Sequence, residues 1–498
     1  MIALLARGGL GVLVVVVMAG AIPLLAACWQ FLLIGVHGVR NHLGAVADVT
    51  PRTAIVVPAW NEGAVVGATV ERLLAMDYPR DALRVYVVDD ASTDETPAVL
   101  EAKVRAHPGR VWHLRREQGG EGKAHTLNHG LRTILADDWA EAVLIIDADV
   151  IFVDDALRKM ARHLADPGVG AVTAYIKEGS RPANYLNRFV GYEYITAQAA
   201  ARRAQNVLGA MVCLAGGAQL HSRTSLEAIG GRIDTSSLAE DTFTTFMTQR
   251  EGRRAVFEGN AIVWAEEPDT IGGLWKQRLR WARGNVQVTK RYKRLWFRKW
   301  RDRRLGGLSF GVFWFSIFLM PLFMIGSSAS LVTLYFIDDP LAWRVFHLLW
   351  ITNAVVYLFV TFFSFAIDPQ TARRSWREGI LFPGVVSLTI ILATCLPPLF
   401  HRWVPDALRL AGLAPGHAVA HAAILFAYAW LSCSMLVAWA AKLLESRGRW
   451  RLLSPLFVYV AGYGPLLCAI TFASYIYEAR GAEMTWDKTE KTGKVALA

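Results

Sequence analysis

The stretch Ala142-Val-Leu-Ile-Ile-Asp147-Ala-Asp149 decides the fold. Its first five residues are apolar without alternation and rich in β-branched side chains, the pattern of a strand buried on both faces. Two carboxylates two residues apart follow where that strand must break into a loop. Residues 53–58, 84–90, 111–114 and 169–174 repeat the same kind of run, with amphipathic helical patterns between them. Continuous apolar strands alternating with helices predict an α/β domain whose parallel sheet is covered on both faces. Ligands of such sheets collect at the carboxyl ends of the strands, and Asp89, Asp90, Asp147 and Asp149 fall there.

Outside this region the composition changes. The chain has 498 residues, 54% of them hydrophobic and 11% aromatic, with a mean hydropathy of +0.30. Soluble domains are less apolar, and the surplus sits in uncharged runs at residues 9–36, 305–337, 345–367, 379–400, 418–441 and 452–477. Several are long enough to cross a bilayer core, which excludes a wholly soluble protein. The first run, bracketed by Arg7 and Arg40 and containing Pro23, is too long for a cleaved signal and reads as a permanent anchor. Residues 52–300 have ordinary charge density and suffice for one globular domain.

The net charge of +11 comes largely from basic residues beside the apolar runs, which indicates membrane topology and anionic-lipid contact, not nucleic acid. Arg373, Arg374 and Arg377, and Lys442, Arg447, Arg449 and Arg451, predict cytoplasmic loops, with Asp338 and Asp339 outside. The basic run from Lys276 to Arg304 places the globular domain in the cytoplasm as well. Five spans after the domain would put the tail, residues 478–498, outside; its Arg480, Lys488, Lys491 and Lys494 suit the inside if one run, 305–337 or 452–477, is re-entrant. Cys28, Cys213, Cys395, Cys433 and Cys468 form no C-x-x-C pair, so neither a disulfide framework nor a cysteine metal site is implied.

Four constellations carry chemistry. Asp89-Asp90-Ala-Ser-Thr-Asp94 closes a strand and either caps the next helix or faces a ligand. Asp147 and Asp149 can both reach one ligand, and hard divalent cations favour carboxylate and phosphate oxygens. Glu240-Asp241 follows the glycine-rich Ala215-Gly216-Gly217, where backbone can approach a ligand closely, although an acidic pair also complements a helix N-terminus. Trp275-Lys-Gln277-Arg-Leu-Arg280-Trp281 sets an amide, guanidinium groups and an indole on adjacent helical turns. Arginine suits bidentate phosphate binding and tryptophan offers a stacking face, while a basic aromatic helix beside a membrane can also be merely interfacial.

In order and spacing these residues resemble the processive family-two membrane glycosyltransferases, the synthases of cellulose, chitin, hyaluronan and poly-β-1,6-N-acetylglucosamine. The resemblance runs from about residue 51 to 304 and rests on Val57-Pro-Ala-Trp-Asn61-Glu62, Asp89-Asp90, Gly122-Lys123, Asp147-Ala-Asp149, Glu240-Asp241 and the Gln-x-x-Arg-Trp signature at 277–281. Its surroundings are most similar to the poly-β-1,6-N-acetylglucosamine synthases, and no cyclic-dinucleotide-binding extension of the bacterial cellulose synthases follows.

The resemblance implies a GT-A-type, Rossmann-like cytoplasmic domain of class α/β inserted between transmembrane helices of the cell (inner) membrane. Its implied boundaries are 1–50 for anchor and linker, 51–272 for the catalytic domain, 273–304 for the interfacial helices, 305–477 for the membrane region and 478–498 for the tail. It implies that Pro58, Ala59, Glu62, Asp89, Asp90 and Lys123 bind the nucleotide of a UDP-sugar, best UDP-N-acetylglucosamine. Asp147 and Asp149 would hold the diphosphate, with Mg²⁺ or Mn²⁺ on Asp149 and Asp147, and Arg280 would assist. Asp241, paired with Glu240, would be the catalytic base, and Gln277 and Trp281 would bind the acceptor. The expected function is inverting, processive synthesis of a β-linked polysaccharide and its translocation, with Trp314, Tyr335, Trp350 and Tyr357 as sugar-stacking steps. Transfer of one or few sugars to a lipid is the alternative, so the acceptor is a growing polysaccharide or a glycolipid; a non-enzymatic scaffold or permease is the reading from another class. Membrane lipids are expected partners, nucleic acid is not, and accessory export subunits stay open.

Overall fold

The protein is described by a computed structural model covering residues 2–39, 46–297, 304–397, 417–484 and 495. Arg40, Trp300, Phe400, Lys488, Lys491, Lys494 and the basic residues between 298 and 303 lie outside the described residues. The chain divides into two compact units. Met1–Phe31 with Val312–Ile476 forms one, and Leu32–Gly311 with Tyr477–Ala498 forms the other.

The second unit is built on an eight-stranded sheet. In chain order the strands are β1 (Thr53–Ala59), β2 (Leu83–Asp89), β3 (Val111–Arg115), β4 (Ala142–Ile146), β5 (Ile151–Phe152), β6 (Val169–Glu178), β7 (Ala218–Ser222) and β8 (Arg254–Ala265). They are ordered β3-β2-β1-β4-β7-β6-β8-β5. Strands β1 to β4 are parallel, as their apolar runs predict. The sheet as a whole is mixed, which corrects the expectation of an all-parallel one. Strand β7 pairs antiparallel with both β4 and β6, and β5 runs antiparallel to β8. The β6 strand keeps the direction of β4 but cannot pair with it, because β7 is wedged between them. Ala218-Gln-Leu-His-Ser222 hides this role, since its Gln219 and His221 look like surface positions yet are 2% and 0% exposed.

Both faces of the parallel half are filled. Val56, Val88, Val143 and Ile145 pack with Leu127, Leu131 and Ile134 of the helix Lys123–Leu135, while Ile55, Val57, Val85, Val87, Leu144 and Ile146 on the other face are also fully buried. Gly130 sets the spacing between helix and sheet. A Cβ there would lie 2.8 Å from Val88 Cγ2 and 3.1 Å from Val56 Cγ1.

In the first unit the helices Met320–Ile337, Asp339–Ile367 and Val419–Glu445 are each long and apolar enough to cross a membrane, and near the N-terminus residues 8–39 are too. Two bent pairs, Pro369–Ile380 with Val385–Cys395 at 76° and Trp450–Ala461 with Tyr463–Ala479 at 100°, raise the count of possible spans among the described residues from four to six if each pair is one span. The run 305–337 is not one straight helix: Leu308–Phe318 ends before Met320–Ile337 begins, with Pro321 in the first turn of the latter, where its missing N–H costs nothing. The two bends meet. Gly384 and Gly462 both have positive φ, 88° and 100°, and a Cβ on either would come within 2.5 Å of the other segment's backbone. Trp350 is 1% exposed and packs against Phe346, and Trp314 is buried as well.

Gly130→Val should push the helix Lys123–Leu135 off the sheet and destabilise the protein by about 1–3 kcal/mol. Thermal unfolding of the purified full-length variant would show a lowered midpoint; an unchanged midpoint would contradict the packing described.

Candidate active site

The register of the parallel strands brings the acidic strand ends together. Ala59 lies opposite Asp89, and Asp147 begins the loop directly after β4. These ends open into a cavity of about 450 Å³, bordered by Pro58, Ala59, Glu62, Asp90, Lys123, Asp147, Asp149, Glu240, Asp241, Gln277, Arg280 and Trp281. That volume is within the range of small-molecule sites. Of the residues expected to bind the donor, the metal or the acceptor or to act as base, Asp89 does not border it. Fully buried, it accepts from the Ser92 amide at 2.8 Å and lies 3.4 Å from His113 Nε2 and from Arg115. Burial works to raise its carboxyl pKa, but these partners hold it below the usual range.

Asp90 is held by the Gly120 amide at 2.9 Å and by the Arg116 guanidinium. The turn that carries it is strained. Ala91 has φ of 57° and Asn61, on the facing loop, 52°, conformations that cost non-glycine residues free energy and cluster at functional sites. The two loops lock each other, with the Asn61 amide donating to Ser92 Oγ at 2.9 Å and the Thr93 amide to Asn61 Oδ1 at 2.9 Å.

Lys123 stands at the centre, 8% exposed. Its Nζ is 2.6 Å from Asp147 Oδ1, 3.1 Å from the Gly216 carbonyl and 3.8 Å from Glu240 Oε1. Burial disfavours its charge, yet Asp147 and Glu240 raise its pKa. Glu240 is pushed up by burial and by Asp241, against Lys123. The acidic pair opens the helix Glu240–Arg250, so the helix N-terminus and Lys123 stabilise its charge. Gly216 and Gly217 keep the space before it clear: a Cβ on Gly216 would lie 3.2 Å from Asp241 Oδ2, and on Gly217 3.2 Å from Asp147 Oδ2.

The signature residues occupy one helix, Ile271–Arg291, capped by Thr270. Gln277 Nε2 donates to Glu267 Oε2 at 3.1 Å, and Tyr194 donates to the other oxygen of Glu267. The Gln277 side-chain oxygen is buried without a hydrogen-bond partner among the described residues. Trp281 is 37% exposed. The Arg278 guanidinium lies 4.1 Å from its ring centroid and is anchored to Glu193 Oε2 at 3.0 Å. One face of the indole is thus occupied by a cation–π contact.

The sequence motifs point to no role for Arg202, Glu266 or Glu267, which border the cavity together with Glu193, Tyr194, Cys213 and Arg278. For Glu266-Glu267 a signal existed, since they follow β8 as Asp89-Asp90 close β2. Residues 195–200 form a π-helical turn between two α-helices, a distortion common at functional sites, and no sequence pattern announces it.

Residues 51–284 match the family described as glycosyltransferase like family 2. The β-monoglucosyldiacylglycerol synthase of Synechocystis is 32% identical over 49% of this chain and 50% of its own length. The poly-β-1,6-N-acetyl-D-glucosamine synthase of Staphylococcus aureus is 30% identical over 47% of this chain and 54% of its own. The chain thus spans about half the length of these relatives. A mannosyltransferase from Pyrobaculum calidifontis, solved with GDP-mannose and Mn²⁺, superposes with a TM-score of 0.54 at 22% identity, covering 78% of this chain and 99% of that one. The fold is that of a GT-A enzyme, and residues 51–284 form a domain similar to those of the family 2 glycosyltransferases.

Glu178, 9% exposed at the end of β6, has its carboxyl pushed up to about 7 by burial, with Glu267 adding to it and Ser180 and Arg181 opposing. A group protonated more readily folded than unfolded stabilises at low pH and loses that contribution as pH rises. Stability should therefore fall as pH rises from about 4.5 to about 7 through this group. Glu178→Gln should remove that part of the slope in thermal midpoints measured across the range; an identical slope would contradict it.

Proposed function

We propose that the protein is an inverting transferase that moves a sugar from a UDP-sugar, with UDP-N-acetylglucosamine the favoured donor, onto a growing β-linked polysaccharide that leaves through the membrane half. The observation that carries this reading is that Asp241, Trp281 and the carboxylates Asp90, Asp147 and Asp149 border a single cavity. Base, stacking platform and diphosphate site therefore face the same substrate pair.

In this reading Pro58, Ala59, Glu62 and Asp90 hold the uridine, and Asp89 acts from behind by fixing the turn that presents Asp90. Asp147 and Asp149 fit a divalent ion only in part. Among the described residues no group of three or more His, Cys, Asp or Glu side chains could hold a metal, so the donor's phosphate oxygens must complete the shell, as Mg²⁺ and Mn²⁺ favour. When bound, such an ion supplies positive charge to the departing diphosphate. Arg280 and Lys123 add fixed positive charge at the same end, where negative charge develops as UDP leaves. Asp241 takes the proton of the acceptor hydroxyl as its oxygen attacks the anomeric carbon on the face opposite UDP. One displacement inverts the configuration, so an α-linked donor gives a β-linkage. The Gln277 oxygen, lacking a partner among the described residues, is available to an acceptor hydroxyl, and the face of Trp281 away from Arg278 to its sugar ring.

Lipid glycosylation is the second reading, favoured by the likeness to a synthase of a glucosyl lipid. Incubation of the full-length protein in nanodiscs with labelled UDP-N-acetylglucosamine separates the two: polymer of high molecular weight supports the first, and label confined to the organic extract supports the second. Asp241→Asn should cut turnover by about 10²- to 10⁴-fold while donor binding persists; near-normal turnover would end its assignment as base. Trp281→Ala should reduce polymer synthesis more than donor hydrolysis, and equal loss of both would move Trp281 out of the acceptor site.

A further inference from the structure

The helix that carries the signature is also gripped from the far end of the sequence. Arg283 is 7% exposed, one turn beyond Arg280. Its guanidinium donates through Nε to Glu478 Oε1 at 2.7 Å, through Nη2 to the Ala482 carbonyl at 2.6 Å and through Nη1 to the Glu483 carbonyl at 3.0 Å. The same Glu478 oxygen accepts from Gln287 Nε2 at 3.2 Å, and Gln287 Oε1 in turn accepts from the Leu238 amide at 3.0 Å. Leu238 lies two residues before Glu240. The helix meets this turn so closely that a Cβ on Gly284 would lie 2.4 Å from Ala239 Cβ. Val495 forms a separate antiparallel bridge with Ser180, whose hydroxyl is bonded to the backbone of Glu267.

We infer that the start of the tail, residues 478–483, supports the active site from behind: Glu478 is a positioning residue that, through Arg283 and Gln287, fixes the turn presenting Glu240 and Asp241. A guanidinium buried beside that turn needs these three acceptors, because a buried charge without partners is strongly destabilising. The tail must then lie on the same side of the membrane as the catalytic domain. An even number of crossings separates them, and the run 452–477 is bent by 100° within its apolar length, as a re-entrant segment would be. The inference rests on the assignment of Asp241 as base.

Glu478→Gln in the full-length protein should lower turnover by about 10- to 100-fold, the scale of a small misplacement of a reacting group, with the donor KM unchanged. Adding Arg283→Gln should cost little more, since the two residues act as one unit. Turnover equal to wild type would overturn the inference. With Asp241→Asn inactive in parallel, that result removes the tail's role alone, whereas an active Asp241→Asn removes the base assignment. If Glu478→Gln does not fold, sidedness decides. An epitope tag after Ala498 and a tag inserted at exposed Asp138 should be protected or cleaved together in sealed vesicles, and opposite protection would overturn the inference.

Discussion

A buried ammonium group ties the catalytic unit together. Lys123 closes the distance between β4, through Asp147, and the acidic helix start at Glu240, with the Gly216 carbonyl as third partner. A charge removed from water is tolerated only when paired and hydrogen-bonded, so Lys123 constrains where all three segments can sit. Gly130 lets its helix approach the sheet closely enough to deliver it, and Gly216 and Gly217 leave room for substrate beside it. The strand-end and helix-start sides of the cavity are thereby set against one another before any ligand arrives.

Much of this was legible from residue type. The apolar run 142–146 announced a doubly covered strand, and the carboxylates after it announced a ligand site at the strand ends. What stayed hidden has a common physical origin. Strand β7 carries Gln219 and His221 at fully buried positions, and His221 is kept neutral by burial, its pKa lowered to about 4; polar residues buried inside a sheet leave no apolar pattern to read. Glu193 and Tyr194 meet Glu267 and Arg278 from more than 70 residues away in the sequence, so their relation exists only in the fold. Asp89 and Asp90 are adjacent and alike in sequence, yet one faces the cavity and the other fixes the turn behind it, because successive side chains at a strand end point to opposite faces.

In the membrane half, hydropathy located the apolar runs but not their breaks. Breaks fall at Pro321 and at Gly384 and Gly462, where a missing N–H or a positive φ decides the local path. Aromatic residues in these helices divide between packing and exposure: Trp350 and Trp430 fill the helix core, whereas Phe362 and Trp439 are exposed.

The reaction proposed for the cavity beneath the signature helix is transfer of the sugar of a UDP-sugar. Initial rates of nucleotide release by the purified full-length protein, with Mg²⁺ or Mn²⁺, should be measured separately against UDP-N-acetylglucosamine, UDP-glucose, UDP-glucuronate and GDP-mannose. The account predicts turnover with a UDP-sugar, highest with UDP-N-acetylglucosamine, and little with GDP-mannose. Turnover of GDP-mannose alone, or of no donor, would contradict it.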